Sequence, residues 1–400
     1  MMRNTCRSYV DKVVIPFIRE DRTREWLFDP DLRLTPEILE EADRAGLRSL
    51  GVPERFGGIE LDKGTQSQTF SIIATELARG DSGLADKLVQ NWKISVLLSA
   101  LAPEHLQEKW FTRYMNEPQF LMAHCLTEPR GASDRWLPYN VPEANMDTKA
   151  VLEDGYWKIN GRKQFISNGY DANLYVVYAN TNPAVGILQG TSSFLVPRDT
   201  PGLEVTRCNE TVGGRFMNNG EIAFVDCRVP ADHLLARDTA LAKAGVYFQP
   251  GKILVAAKNL GIGIAAYEET VAWVHQRVQG GRVLIKHQAV ATRIAEMATK
   301  LEAVSALLRH AAIAVDEGSP DAQTLSVMIK VYASEEILKV CQHAVELHGG
   351  YGAMIEVGIE KYYRDALVCL HSDGTTDVSN FKIVRSMFPE TAGLYAGPES

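Results

Sequence analysis

The chain has 400 residues, of which 46% are hydrophobic and 23% charged. That is enough for two or three domains with a substantial core, and it is far from a disordered composition. A formal net charge of -8 argues against a protein whose main task is gripping nucleic-acid phosphates, while leaving room for a local basic groove around a phosphorylated cofactor. No apolar run approaches the roughly 20 residues that span a bilayer.

The first segment, MMRNTCRSYVDKVVIPFIRE, lacks the apolar core and small-residue cleavage site of a secretory signal, and Asp11 and Glu20 argue against a transit peptide. Cys6, Cys125, Cys208, Cys227, Cys341 and Cys369 are scattered without a CxxC pair. They read as reduced thiols of a cytoplasmic protein, with no metal site and no disulfide framework.

The first 120 residues or so carry helical periodicity. Val10, Val13, Val14 and Phe17 repeat at i, i+3, i+4 and i+7 and give one apolar stripe. In the next helix Thr35 is placed to cap, Pro36 fits the first helical position, Ile38, Leu39 and Ala42 form a face, and Gly46 ends it. Gln66–Arg79, Asp86–Leu101 and Pro103–Met115 are predicted helices, the first two separated by Asp81-Ser82-Gly83.

Near Phe120 the texture changes to short apolar strands divided by turn signals, and this continues to about Val229. Asn160-Gly161, between Tyr156–Ile159 and Lys163–Ile166, predicts a hairpin. Ala172–Ala179, Ser192–Val196, Leu203–Arg207 and Glu221–Val225 are further strands, with Pro197, Pro201 and Gly202 as breakers. From about Ala240 helical spacing returns. Val290, Ile294, Met297, Leu301, Val304 and Leu308 form the seam of a bundle helix, and Ile337, Cys341, Ala344 and Leu347 another face that Gly349-Gly350 stops. The periodicity therefore predicts an α+β chain of three domains: helical 1–120, β 121–238 and a helical bundle 239–400.

Several motifs could carry chemistry, and each has a plainer reading. Leu126–Asp134 leaves backbone N–H groups and the Thr127 and Ser133 hydroxyls free for a polar ring or phosphate; it also reads as a solvated loop. Phe165 stands two residues before Ser167 on one strand face, suited to stacking on a planar cofactor or simply to core packing. His348-Gly349-Gly350-Tyr351-Gly352 permits close approach to a pyrophosphate, or is a helix C-cap. Gly261-Ile262-Gly263 reads as close helix packing. Asp373, before Gly374, is either a poised base or an N-cap or turn aspartate.

In their order these motifs resemble the acyl-CoA dehydrogenases over nearly the entire chain. The resemblance rests on Arg48–Gly58 (RSLGVPERFGG), Glu76–Gly80, Leu126–Asp134, Asn160–Asn168 (NGRKQFISN), Asn219–Leu235 (NGEIAFVDCRVPADHLL), Lys286–Met297 (KHQAVATRIAEM) and Gly349–Ala366. It implies an N-terminal α-helical domain, a central β domain and a C-terminal four-helix-bundle-like domain, assembled as a homotetramer with one FAD per subunit. It carries Leu126, Thr127 and Ser167 onto the flavin-facing positions, Phe165 onto the aromatic behind the ring and Ser133 onto the pyrophosphate-side serine, which also touches substrate. Arg277 falls on the arginine that reaches a neighbouring subunit's FAD, Gln288 on the same contact region, and Gly349, Gly350 and Thr375 on the remaining FAD contacts. The implied chemistry is α,β-dehydrogenation of an acyl-CoA or acyl-carrier-protein thioester, with an electron-transferring flavoprotein as acceptor. Asp373 would abstract the α proton, and Gly374 and Lys252 would touch the substrate.

The chain also departs from that pattern. The base position holds Asp373 in place of the usual glutamate, and the alternative location used by some relatives is Gly251. An aspartate's oxygens sit about 1.5 Å further back, a displacement that can cost about 100-fold unless the substrate sits differently. Either the acyl group is held closer, as for an alicyclic, branched or otherwise unusual substrate, or the reaction has changed. Lys252 replaces an arginine of the CoA-facing region, Gly280 a common phenylalanine and Glu346 a common glutamine. The insertion Arg135–Met146 (RWLPYNVPEANM) follows the flavin loop and either shapes the entrance or decorates it. Two other functions share the scaffold: a flavin oxidase or monooxygenase similar to nitroalkane oxidase, and a FAD-containing nucleic-acid binder. The acidic balance argues against the second.

Overall fold

The computed structural model describes residues 2–388 other than 132, 138 and 139. The opening apolar stripe becomes α1 (Met2–Tyr9) and α2 (Ile15–Glu20), joined through a wider π-helical turn at Val10–Val14, with Val10 and Val14 buried. α3 (Pro36–Arg44) begins at Thr35 and Pro36 and buries Ile38, Leu39 and Ala42. The Thr35 hydroxyl makes no capping bond, so this start rests on the fixed φ of Pro36. α4 (Gln66–Gly80), α5 (Ser82–Leu101) and α6 (Glu104–Asn116) follow. α5 starts at Ser82 rather than Asp86, because the Asp81 carboxylate accepts a 2.8 Å bond from the Leu84 N–H and caps it.

The β region contains β1 (Met122–Cys125), β2 (Lys149–Glu153), β3 (Tyr156–Ile166), β4 (Leu174–Asn180), the short helix α7 (Ile187–Gly190), β5 (Thr191–Pro197), β6 (Leu203–Asn209), β7 (Asn219–Pro230) and β8 (Leu234–Ala236). They form one eight-stranded sheet in the order β6-β7-β3-β2-β4-β5-β8, with β1 parallel to β4. The hairpin predicted at Asn160-Gly161 is absent. β3 runs straight through both residues, and the turn lies at Asp154-Gly155, with φ of 50° and 79°, where Glu153 pairs with Tyr156. Asp-Gly is a hairpin dipeptide of the same kind. Gly161 instead marks a register irregularity between β3 and β7, where a Cβ would come within 2.5 Å of Thr148.

The remaining helices are α8 (Ala240–Lys243), α9 (Gly245–Gln276), α10 (Gln288–Asp316), α11 (Ala322–His348), α12 (Ile359–Cys369) and α13 (Thr376–Met387). Met297, Leu301, Val304 and Leu308 are buried along α10, as the heptad-like spacing predicts, and Ile294 packs against the same core. A Cβ on Gly261 would meet the Thr75 carbonyl oxygen at 2.3 Å, and one on Gly263 would meet Ile337 at 2.7 Å. Both glycines thus let α9 pack closely, against α4 and α11.

Helices from both ends of the chain share one core, running from Cys6 to Cys369. A second core, from Ala123 to Val229, lies on the sheet alone; a third packs α5, α6 and α8 against the sheet. Buried charges bind these parts together. The Lys361 ammonium lies 2.7 Å from both Asp81 and Asp365, Arg364 donates to Glu25 at 2.6 Å, and Asp365 accepts the Gly214 N–H at 2.8 Å. Among the described residues no helix is long and apolar enough to cross a membrane.

Candidate active site

A cavity of about 550 Å³ opens where α5, α9, the segment after β1, the end of β3 and the turn between α12 and α13 converge. Asp373 occupies that turn with φ 51°, followed by Gly374 at 100°. Two buried lysines hold the turn by its carbonyls: Lys252 donates to Asp373 O at 2.8 Å, and Lys330 to Gly374 O at 2.6 Å. Thr375, not Asp373, occupies the N-cap of α13, so the plain capping reading fails for Asp373. Its carboxylate points across to α9, where a Cβ on Gly251 would lie 3.1 Å from Asp373 Oδ2 and 3.8 Å from Lys93 Nζ. The glycine makes room for both groups. Burial alone would raise the Asp373 pKa, but Lys93, Lys252, Arg135 and Lys258 outweigh it and hold the carboxyl well below the usual range.

Leu126, Thr127, Ser133, Phe165, Ser167, Gly374 and Thr375 all line this same cavity. The solvated-loop reading of Leu126–Asp134 does not hold for its middle. Glu128 is buried 2.7 Å from the Lys163 ammonium and accepts the Thr148 N–H at 3.0 Å. The pairing overcomes burial and keeps Glu128 below the ordinary carboxylate range. Core packing does not hold for Phe165 either: its side chain is 60% exposed on the wall, on backbone of φ 57°. Lys252 requires a further correction, for it does not line the cavity and serves the Asp373 backbone from behind. Burial pushes its ammonium down to about 8.

Arg277, Gly349 and Gly350 come together elsewhere, in a second cleft of about 490 Å³ that shares no lining residue with the first. The Arg277 guanidinium sits 5.5 Å from the Tyr351 ring and 5.8 Å from that of Trp273. Gly349 has φ 59°, and nothing stands within 4 Å of where a Cβ on either glycine would be. Gln288 is exposed at the start of α10 and is not part of that lining. Glu346 is, paired to Arg293 at 2.7 Å.

Sequence reasoning missed several cavity residues. Asp86, Gln90 and Lys93 are spaced four and three apart, a polar stripe along α5, and that spacing was the available signal. Asp86 pairs with Lys258 of α9, and Gln90 accepts the Tyr247 hydroxyl at 2.8 Å. His124 stacks on Tyr247 at 4.0 Å with its Nε2 buried and unpartnered. Burial, then Lys93 and Arg135, push its pKa well below the ordinary value. From the insertion, Arg135 and Trp136 reach the wall, whereas Tyr139 lies outside the described residues.

Helices, a sheet and a helical bundle meeting at a carboxylate-bearing cavity are the arrangement that the resemblance to flavin-dependent dehydrogenases implies. Comparison with known proteins makes this definite. The chain matches the acyl-CoA dehydrogenase N-terminal domain over residues 1–117, the middle domain over 123–227 and the C-terminal domain over 241–388. It is 29% identical to an acyl-CoA dehydrogenase of Bacillus subtilis, covering 98% of each chain. It is 32% identical to the cyclohex-1-ene-1-carbonyl-CoA dehydrogenase of Geobacter metallireducens, over 94% of this chain and 98% of the relative. The butyryl-CoA dehydrogenase structure from Megasphaera elsdenii superposes with a TM-score of 0.86 at 27% identity, over 97% of both chains. The chain belongs to the acyl-CoA dehydrogenase family, FAD-dependent oxidoreductases acting on CH–CH donors. Its residues suit that cofactor: Phe165 offers an exposed ring, the Thr127 and Ser167 hydroxyls have no hydrogen bond among the described residues, and Gly349-Gly350 leaves backbone open to a phosphate.

Proposed function

We propose that this protein removes two hydrogens from adjacent carbons of a compact acyl thioester, with Asp373 as the base. The observation that carries this reading is the Asp373 carboxylate facing Gly251 in the cavity that also holds the flavin-loop residues. Asp373 takes the α proton as the C–H bond breaks, and the backbone around Gly374 orients the thioester. FAD, when bound, supplies acceptance of the β hydride, so that two electrons leave the substrate as its carbon–carbon double bond forms. Leu126, Thr127, Ser133, Phe165, Ser167 and Thr375 hold the near part of the dinucleotide. Arg277, Gln288, Gly349 and Gly350 serve the FAD of a neighbouring subunit in a homotetramer, which accounts for a second cleft separate from the first. The electrons pass to an electron-transferring flavoprotein, and the thioester is carried by CoA or by a carrier protein. The chain divides at about 120 and 238.

A short base brings the acyl group close to the turn, and the relative acting on a cyclohexene carbonyl thioester supports a ring-sized substrate. The Arg135–Met146 insertion, through Arg135 and Trp136, shapes the cavity mouth. Asp373→Asn preserves size and removes basicity. It is expected to keep its FAD while anaerobic flavin bleaching by acyl-CoA slows by about 100- to 10,000-fold. Bleaching at the wild-type rate would place the base elsewhere. Oxygen uptake matching substrate turnover would instead favour an oxidase on the same scaffold.

A further inference from the structure

The cavity carries more positive charge than its own carboxylates answer. Lys258 is matched by Asp86, and Asp373 is one carboxylate shared among the cations that remain. Lys93 remains: it is 4% exposed, lines the cavity, and makes no hydrogen bond or ion pair among the described residues. Its ammonium faces the Tyr247 ring, 4.7 Å away, and shares the field of Asp373 with Arg135. Arg135 remains as well, held between the rings of Trp136 and Phe248 at 4.2 and 4.1 Å, with its buried Nε unpartnered. Beside them, His124 presents its own unpartnered Nε2.

Two buried cations sharing one carboxylate are costly, and a hydrocarbon chain laid against Lys93 would deepen that cost by excluding water. An anion there would remove it. We infer that the acyl group of the substrate carries a second, free carboxylate, and that Lys93 and Arg135 receive it beside Asp373. This rests on the dehydrogenase reading above and narrows its substrate to acidic acyl thioesters. The same surroundings disfavour a cationic acyl group, which would meet like charge. The arrangement also bears on the base. Lys93 and Arg135 are among the cations holding Asp373 acidic, together with Lys252 and Lys258 of α9. A carboxylate that pairs with the first two weakens their hold and makes Asp373 a better proton acceptor only when the right substrate is present.

The test is anaerobic bleaching of the FAD-loaded enzyme by matched thioesters: succinyl-, glutaryl- and adipyl-CoA, their terminal methyl esters, and the corresponding unbranched and cyclohexane acyl-CoAs. Wild type is expected to prefer a free acid over its own ester by about tenfold or more in kcat/KM, the size of one charge-assisted bond. Lys93→Met is expected to erase that preference with FAD content unchanged, and Lys93→Arg to retain most of it. Acid and ester bleaching alike in wild type would overturn the carboxylate subsite while leaving the dehydrogenase standing. Should Lys93→Met fail to fold, this wild-type comparison decides alone. No bleaching by any thioester, acidic or neutral, would overturn both.

Discussion

Asp373 keeps its charge because cations on four elements face it: Lys93 on α5, Lys252 and Lys258 on α9, Arg135 in the loop after β1, and Lys330 on α11. Its folded pKa is depressed, so its contribution to stability is fully present above the unfolded value of about 4 and is lost as pH falls toward the folded one. The same sign governs the rate. The kcat/KM profile of wild type is expected to show no acid limb from this carboxyl between pH 5 and 8, a range chosen well above that value. In Lys93→Met the limb moves to higher pH, and a profile unchanged by the substitution would separate Lys93 from the base. Asp373 was legible in the sequence because it stands before Gly374-Thr375 in an ordered set of motifs. Lys93 and His124 were not. A lysine in a helix reads as a solvated face until a cavity is seen to close over it.

Among the elements, long helices with strong periodicity were read correctly, and short-range signals were where reading failed. Asn160-Gly161 and Asp154-Gly155 are both hairpin dipeptides, and local preference alone cannot rank them. The sheet decides, because β3 must run its full length to pair with β7. Gly261 shows the opposite case, a residue read from its neighbours as close packing and found so near α4 that an added Cβ would stand 2.3 Å from the Thr75 carbonyl oxygen. Gly261→Ala is expected to force α9 from α4 at a cost of about 1–3 kcal/mol despite the better helix propensity of alanine. Gly245→Ala, with open space at its Cβ, provides the control and is expected to be neutral or slightly stabilising. Thermal unfolding of the two variants checks the difference, and equal melting temperatures would refute the packing argument.

Across the whole molecule, the two clefts make different demands. The first holds Asp373 and the flavin-loop residues, whereas Arg277, Gly349 and Gly350 gather in a cleft with no lining residue in common with it. If they serve a neighbour's cofactor, Arg277→Ala loses charge-assisted bonds worth about 1.5–3 kcal/mol each, and FAD dissociates more readily while the fold persists. Fluorescence of released FAD, followed alongside mass measurement of the assembly, tests this. FAD retained as in wild type would remove Arg277 from the cofactor site. Three-part architecture was legible because periodicity changes near Phe120 and again near Ala240. That the first and last parts are one packed body was not, since contacts such as Arg364 to Glu25 link residues far apart in the chain.

That shared core has a consequence for how the chain is made. Cys6, Val10 and Val14 pack on α4, which emerges soon after them, but α4 and α5 also pack on α9, so the shared core cannot close until the carboxy-terminal helices have left the ribosome. The sheet meets no such delay, because its own core closes between Ala123 and Val229. Emergence and folding therefore run in different orders, with the middle of the nascent chain settling first. The surface that α4 and α5 turn toward α9 waits uncovered, and is the stretch on which a chaperone has the longest time to act.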